Sequence, residues 1–357
     1  MTVDTRHETQ AAGTHAAPAA SASPIAAPAP GALMTAVVQH RYGGSEVLAS
    51  EPIAVPAPGA GQVLLKVRAA GLDRGTWHLM AGKPFLTRFM FGFRRPKDPV
   101  PGLDVAGTVV ALGDGVTDFA IGDEVFGVAK GSFAEFAVAP ATKLVRRPEQ
   151  LAPEAAAAVP VSGMTALQAV VDEGRVRPGQ RVLVTGASGG VGNYAVQIAV
   201  ASGAEVTGVA SAGKVGFLRS LGATRTIDYR ATDVTTLDER FDLIIDINGR
   251  KPVRRLQRVL APEGTLVMVG GEDGDWFMGG FQRQLSAPLR DRFTKQRILG
   301  LMSAERAESL ERLAAMIVAG QVRPQVSEAY PLADVRRAMD DLVGGRVSGK
   351  AVITVAG

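Results

Sequence analysis

The nine residues Val184–Gly192, VTGASGGVG, constrain this chain more than any other stretch. Four glycines fall within Gly186–Gly192. Upstream, Pro178-Gly179 is a turn signal, and Arg181-Val182-Leu183-Val184 reads as a short buried strand. Downstream, Ala195, Val196, Ile198, Ala199 and Val200 recur at helical spacing, and Gly203 stands where a helix C-cap glycine belongs. Glu205–Val209 reads as a second strand. The glycines therefore occupy the first strand-to-helix turn of a βαβ unit, the context in which a glycine-rich turn binds a dinucleotide. Glycine permits the tight turn, the missing Cβ lets a pyrophosphate approach the backbone, and the helix N-terminus offers N–H groups and a partial positive charge. The spacing is G-x-x-G-x-x-G, at Gly186, Gly189 and Gly192; read as G-x-G-x-x-G, the first position falls on Ala187.

Around this unit, strands and helices alternate from about Val161. Strands are predicted at Val182–Thr185, Val206–Val209, Thr226–Ile227, Leu243–Ile247 and Leu266–Val269, with helices that include Lys214–Leu221 and Pro252–Leu260. That order predicts a doubly wound parallel sheet. From Met34 to about Pro160 the chain is punctuated by Gly and Pro, with short β-like runs at Val63–Val67, Val105–Val110 and Phe133–Val138; an irregular β-rich domain is expected there. After about Leu299 two amphipathic helices, Ala304–Ala319 and Leu332–Leu342, precede a last strand, Lys350–Val355. A length of 357 residues accommodates two domains.

Composition excludes several functions. Without cysteine there is no disulfide, thiol nucleophile or thiolate metal site. A net charge of +4, thinly spread, argues against a nucleic-acid partner. No apolar run approaches the roughly 18 residues of a membrane span. Residues 1–33, rich in Ala, Pro, Ser and Thr and without periodicity, are expected to be disordered; they lack the apolar core of a signal peptide, and a cytoplasmic location is expected. Met34, where strand alternation begins, is a candidate start.

Several further stretches, in order, resemble the medium-chain dehydrogenase/reductase superfamily, within it the zinc-free quinone oxidoreductase branch. They include GLDVAGTVVALGDGVTDFAIGDEVFG (102–127), GSFAEFAVAP (131–140), PVSGMTALQAV (160–170), LGATRTIDY (221–229) and SGKAVITV (348–355). DRGTWHLMAGKP (73–84) further resembles a bacterial subgroup named only as NAD(P)-dependent alcohol dehydrogenases. The resemblance runs from Met34 to the end. It implies a GroES-like substrate domain, residues 34–160 completed by 300–357, a Rossmann domain at 161–299, a site in the cleft between them, and a homodimer.

Zinc members of the superfamily carry Cys, a His-Glu pair, and a further Cys or Asp. At the matching positions this chain has Asp73, Leu103 and Asp104, and of its four histidines two, His7 and His15, lie in the tail. No metal site is expected, because zinc takes three or four N/S-rich ligands. Alcohol oxidation usually relies on such a Lewis acid. Hydride addition to a quinone or α,β-unsaturated carbonyl instead uses the acceptor as electron sink, and orientation of the reactants contributes about 7–11 kcal/mol. The expected activity is therefore reduction of such a small apolar acceptor. The alternatives are a dehydrogenase of a specific alcohol and a non-catalytic NADPH-binding regulator.

NAD-selective folds carry Asp or Glu at the end of the second strand. Here that strand ends in Val209-Ala210-Ser211, with no carboxylate. The resemblance assigns Ser211, Lys214 and Tyr229 to the 2′-phosphate of NADPH, the expected cofactor, although Lys214 also fits a surface lysine at a helix start. Thr165 matches a family threonine near the nicotinamide ribose. Ser188, Gly189, Gly190 and Val191 at the turn, with Asn248 and Gly270 at the ends of the fourth and fifth strands, complete the expected cofactor site.

On the substrate side, Asp73 is Asn in many quinone reductases. It is a candidate to orient a ribose hydroxyl or, when protonated, to deliver a proton; it also fits a structural turn cap. His78 is a candidate proton donor or a surface packing residue, and Trp77 and Met80 are pocket or core. FLTRFMFGFRRPKDP (85–99) interleaves aromatics with cations. A lid over the acceptor is favoured, a plain packed loop comes next, and a membrane-surface contact or RNA stacking follows. GGEDGDWFMGGFQRQL (270–285) is a candidate pocket mouth or dimer edge.

Overall fold

The computed structural model describes residues 27–29, 31–271, 277–280, 282 and 295–356. Most of the tail expected to be disordered, and most of the 270–285 loop, lie outside the described residues.

The N-terminal strands β1 (Leu33–Val38) and β2 (Ala49–Ala54) form an antiparallel pair. A second sheet is built on β3 (Gln62–Leu72), with β4 (Asp104–Leu112), β5 (Glu124–Val128), β6 (Phe136–Pro140) and β7 (Leu144–Arg146). A third sheet is wholly parallel: β8 (Arg181–Thr185), β9 (Glu205–Ala210), β10 (Arg225–Asp228), β11 (Phe241–Asp246), β12 (Leu260–Met268) and β13 (Arg297–Gly300). Its spatial order is β10-β9-β8-β11-β12-β13, so the winding reverses between β8 and β11. The chain then returns to the second sheet through β14 (Val326–Pro331) and β15 (Lys350–Thr354), the latter antiparallel to β3. This is the α/β class expected, a GroES-like sheet beside a doubly wound parallel one.

The apolar runs of the parallel strands follow from coverage on both faces. Val182, Leu183 and Val184 are fully buried, and each such burial contributes about 1.5–3 kcal/mol. Helix α1 (Arg74–Ala81) follows β3, and α2 (Arg88–Phe91) lies in the aromatic segment. Then come α3 (Pro153–Ala157), α4 (Pro160–Leu167) with Pro at its first position, and α5 (Gly190–Ala201). Helix α5 buries Tyr194, Ala195, Val196, Ile198 and Ala199, the stripe its periodicity predicts.

Two expectations are corrected, and one helix was missed. The helix predicted at Pro252–Leu260 is a single turn, Val253–Leu256, and Leu260 already pairs with Phe241 as the first residue of β12. Val259 and Leu260 are buried strand-side apolar residues, which short-range periodicity cannot separate from a helix face. The strand predicted from Phe133 begins at Phe136; Phe133 is instead core, its N–H bonded to the Pro101 carbonyl at 3.1 Å. Helix α1 was not predicted. Its signals were present, Asp73 as N-cap and Gly82 at φ +60° as C-cap.

Candidate functional site

Thr185, the last residue of β8, fastens the point where the sheet reverses. Its hydroxyl donates to Asp246 Oδ1 at 2.7 Å and accepts from the N–H groups of Ile247 at 3.1 Å and Asn248 at 3.3 Å. The ends of β8 and β11 are thereby held in one register, and a cleft of about 510 Å³ opens beyond them. Ligands of doubly wound sheets bind at such a switch point.

The glycine turn forms the cleft floor. Gly186 adopts φ +65°, which favours glycine. Gly189 is the N-cap of α5, and a Cβ built on it would meet only Gly186 O, at 3.4 Å, so the protein leaves that side open. A Cβ on Gly192 would lie 2.2 Å from Gly186 O, so Gly192 is required for the helix to seat on the turn. Ser188, Gly189 and Gly190 line the cleft. The first N–H groups of α5, Val191 among them, have no acceptor within the helix. The Val191 side chain turns the other way, onto the main core.

Ser211, Lys214, Tyr229 and Asn248 also line the cleft. Lys214 Nζ donates to the carbonyls of Gly345 at 3.1 Å and Val347 at 2.8 Å. Partial burial holds its pKa below the usual lysine value. The lysine expected to face the cofactor thus also ties down the C-terminal loop that borders the cleft, and Gly349 N–H donates to Ser188 O at 2.8 Å from the same loop. Four cations that sequence reasoning passed over stand here too: Arg74, Arg230, Arg250 and Lys251. The Arg230 guanidinium sits 5.6 Å from the centre of the Tyr229 ring, and Lys251 pairs with Asp233 at 2.9 Å. Among the described residues the one carboxylate lining the cleft is Asp246, buried and bonded to Thr185. The Arg next to Tyr229 was legible as the residue after IDY; Arg74, Arg250 and Lys251 arrive from distant segments.

Thr165, Gly270, Asp73 and His78 do not line this cleft. Thr165 is buried in α4, its hydroxyl within bonding distance of Val161 O (2.7 Å) and Ser303 Oγ (3.0 Å). Gly270 follows β12, where a Cβ would lie 2.0 Å from Ile247 O, so the close approach of the two strand ends leaves room for glycine alone. Asp73 Oδ1 accepts the Thr76 N–H at 2.7 Å as the cap of α1, while Oδ2 is buried without a hydrogen-bond partner. The His78 Nδ1 lies 3.0 Å from Lys83 O, and its ring packs edge-on to Trp77. A helix turn separates it from the capping carboxylate, so the two expected catalytic groups are not brought together.

A buried ion pair lies beneath the cleft. Lys350 Nζ reaches Asp104 Oδ2 and Ser162 Oγ, each at 3.1 Å, and Asp104 Oδ1 accepts the Val161 N–H at 2.8 Å. The Lys350 stem runs beside Gly190, where a Cβ would come within 3.2 Å of it. Burial pushes the Asp104 carboxyl up to about 6, against the opposing pull of Lys350 and with the help of the Asp73 charge. A zinc ion does not fit the family's ligand positions. Leu103 offers only hydrocarbon, Asp104 is engaged by Lys350 and Val161, and Asp73 caps a helix. Among the described residues no group of three or more His, Asp or Glu side chains is disposed around a common point.

A smaller cavity, about 120 Å³, lies between the segment after β1, α1 and the 96–103 loop. Leu79, Met80, Phe91 and Leu103 give it apolar walls, and Gln39 and Thr76 line it as well. Gln39 Oε1 and Thr76 Oγ1 are both buried without a hydrogen-bond partner. A wider hollow of about 820 Å³ is bounded by Arg68, Glu124, Glu135, Arg147 and Glu154. It lies away from the sheet's switch point, and Arg147 and Glu124 pair with each other there at 3.3 Å.

Two family models match the chain: alcohol dehydrogenase GroES-like domain over residues 59–149, and zinc-binding dehydrogenase over residues 221–353. The chain is 32% identical over 341 residues to a chloroplast envelope quinone oxidoreductase homolog of Arabidopsis thaliana, covering 90% of this chain and 99% of the relative. The solved quinone oxidoreductase of Coxiella burnetii superposes with a TM-score of 0.79 at 27% identity, over 91% of this chain and all 100% of the other. A mycobacterial protein solved in complex with NADPH superposes with a TM-score of 0.75 at 26% identity, over 90% of this chain and 99% of that one.

Proposed function

The chain belongs to the medium-chain dehydrogenase/reductase superfamily, and as an oxidoreductase of that family we propose that it is a zinc-independent, NADPH-dependent reductase of quinones or α,β-unsaturated carbonyls. The observation that carries this reading is the charge of the cleft: among the described residues Arg74, Lys214, Arg230, Arg250 and Lys251 line it, the one carboxylate, Asp246, is buried against Thr185, and β9 ends without an acid. A 2′-phosphate suits such a cleft, and each charge-assisted bond to it contributes about 1.5–3 kcal/mol.

On this reading the Gly189 backbone and the N-terminus of α5 receive the pyrophosphate, and Ser211, Lys214, Tyr229 and Arg230 receive the 2′-phosphate. A reduced nicotinamide supplies the hydride. The chain's part in the reaction is orientation and exclusion of water. The small cavity receives the acceptor: Leu79, Met80, Phe91 and Leu103 are its apolar walls, the Asp98–Lys130 pair borders it, and the Thr76 hydroxyl is the group there that could donate to a carbonyl. At about 120 Å³ it suits a compact enone or a single ring. Asp73 positions α1, and hence Thr76, by capping the helix. The Rossmann half is taken as 161–299, the substrate half as 34–160 with 300–357, and the active species as a homodimer in the cytoplasm.

The test is the affinity for each cofactor. NADPH should bind at least tenfold more tightly than NADH, and Lys214→Ala and Arg230→Ala should each narrow that gap. NADPH oxidation should then depend on an added quinone or enone and survive exhaustive chelation. Equal affinities for the two cofactors, or a loss of turnover reversed only by zinc, would overturn the reading.

A further inference from the structure

The segment after α1 carries an apolar surface of which the proposed reaction uses only Phe91. Among the described residues, four of twelve exposed large apolar side chains fall within residues 89–93. They are Phe89 (61% exposed), Met90 (71%), Phe91 (43%) and Phe93 (55%). A scattered exposed residue is ordinary, but a contiguous patch marks an interaction site. The backbone is well anchored. Tyr42 donates to Gly92 O at 2.6 Å, Arg88 Nε donates to Gly82 O at 3.0 Å, and Lys97 Nζ donates to Met90 O at 2.9 Å. Phe85 meets Phe89, Phe93 and Phe277 at ring separations of 6.2, 5.7 and 6.0 Å. The result is a fixed aromatic knob with Met90 at its most exposed point.

The charge around the knob has one sign. Arg94, Arg95 and Lys97 are exposed on its flank, with Lys83 and Arg88 at its base. The segment's one acid, Asp98, is paired with Lys130 at 2.6 Å. Apolar side chains rimmed by unopposed cations complement an anionic lipid surface, which takes the apolar groups at the acyl boundary and the cations at the headgroups. Single-stranded RNA suits the knob less well. Phe85–Phe89 and Phe85–Phe93 pack edge-to-face, at 87° and 80°, so these ring planes stand nearly perpendicular rather than being presented in parallel series to bases.

We propose that the Phe89–Lys97 knob docks the protein reversibly on anionic bilayers. Phe91 on the same short helix α2 lines the small cavity, so a docked protein holds that cavity's wall against the membrane, within reach of an acceptor dissolved in lipid. The delivery of an acceptor rests on the proposed function; the docking itself needs neither cofactor nor substrate.

The experiment is co-sedimentation of the full chain with vesicles, without cofactor or substrate. Vesicles of phosphatidylcholine containing about a third phosphatidylglycerol should carry the protein down at low salt, and pure phosphatidylcholine should not. Phe89→Ser with Met90→Ser should abolish binding. Arg94→Gln with Arg95→Gln should weaken it roughly twenty-five-fold, at about five-fold per cation. Both double variants should melt within a degree or two of the parent, since these side chains are on the surface. The proposal fails if no vesicle sediments the protein, or if the Ser variant binds as the parent does. It fails also if both variants instead lose affinity for single-stranded RNA that exceeds the affinity for vesicles. It fails if the Ser variant turns a dimer into a monomer in analytical ultracentrifugation, which would make a second copy of the chain the occupant.

Discussion

Lys350 Nζ lies 3.1 Å from Asp104 Oδ2, with both side chains essentially out of solvent at 1% and 0% exposure. The pair joins β15 to β4, and through Ser162 and Val161 it reaches α4. It stands directly behind Gly190, in the floor of the cleft. Removing one member of such a pair leaves a buried charge, at a cost of about 3–5 kcal/mol.

Lys350→Met should therefore destabilise the protein by about 3–5 kcal/mol near pH 8, and Asp104→Asn combined with Lys350→Met should recover most of the loss. The pH dependence has a definite sign. The folded Asp104 carboxyl is raised to about 6, burial being the largest cause, above the unfolded value of about 3.9. Between those values the folded state holds a proton that the unfolded chain has released. This group's contribution is therefore greatest below about pH 4 and is lost as pH rises to about 6. Lys350→Met should cost less near pH 5 than near pH 8, because a protonated Asp104 needs no counter-charge. Melting temperatures across that range check both statements; a larger cost at the acid end would contradict them.

Gly189 and Gly192 should respond differently to the same substitution. Gly189→Val meets only Gly186 O at 3.4 Å. It should leave the melting transition within about 1 kcal/mol of the parent while abolishing NADPH binding, because the added carbons occupy the side the protein leaves open. Gly192→Val forces its Cβ to 2.2 Å from Gly186 O and should destabilise the fold by about 1–3 kcal/mol or more. Fluorescence titration and thermal melting of both variants separate the roles. Normal NADPH binding by Gly189→Val would remove the turn from the cofactor site.

Asp73 is a helix cap, so its amide analogue should serve. Asp73→Ala should cost about 1 kcal/mol and Asp73→Asn should restore it, since Asn and Asp cap equally well. Because the Asp73 charge helps to raise Asp104, Asp73→Asn should also move the acid-side stability midpoint downward. Turnover of Asp73→Asn should stay within about threefold of the parent. A stable but inactive Asp73→Asn would return the carboxylate to a direct role in the reaction.

The glycine turn, the strand before it and the helix after it were legible in sequence. So was the α/β class, because each signal is carried by neighbouring residues: a positive φ at Gly186, a stripe along α5, an apolar run in β8. Periodicity failed where one short apolar run serves either structure, as at Val259-Leu260. The cap of α1 was written as Asp73 and Gly82, but a carboxylate at a family site position invites a chemical reading before a structural one.

What the tertiary structure alone decided is the electrostatics of the cleft and of the floor beneath it. Lys214 is bound to carbonyls of Gly345 and Val347, and Lys350 to an aspartate 246 residues earlier in the chain. Arg74 and Arg250 reach the same cleft from separate sheets' ends. Backbone conformation is dictated by the chemistry of a few adjacent residues and can be read in order along the chain. The pairing of charges depends on distance and burial, and both exist only once β15 has closed on β3 and brought Lys350 beside Asp104 behind the glycine turn.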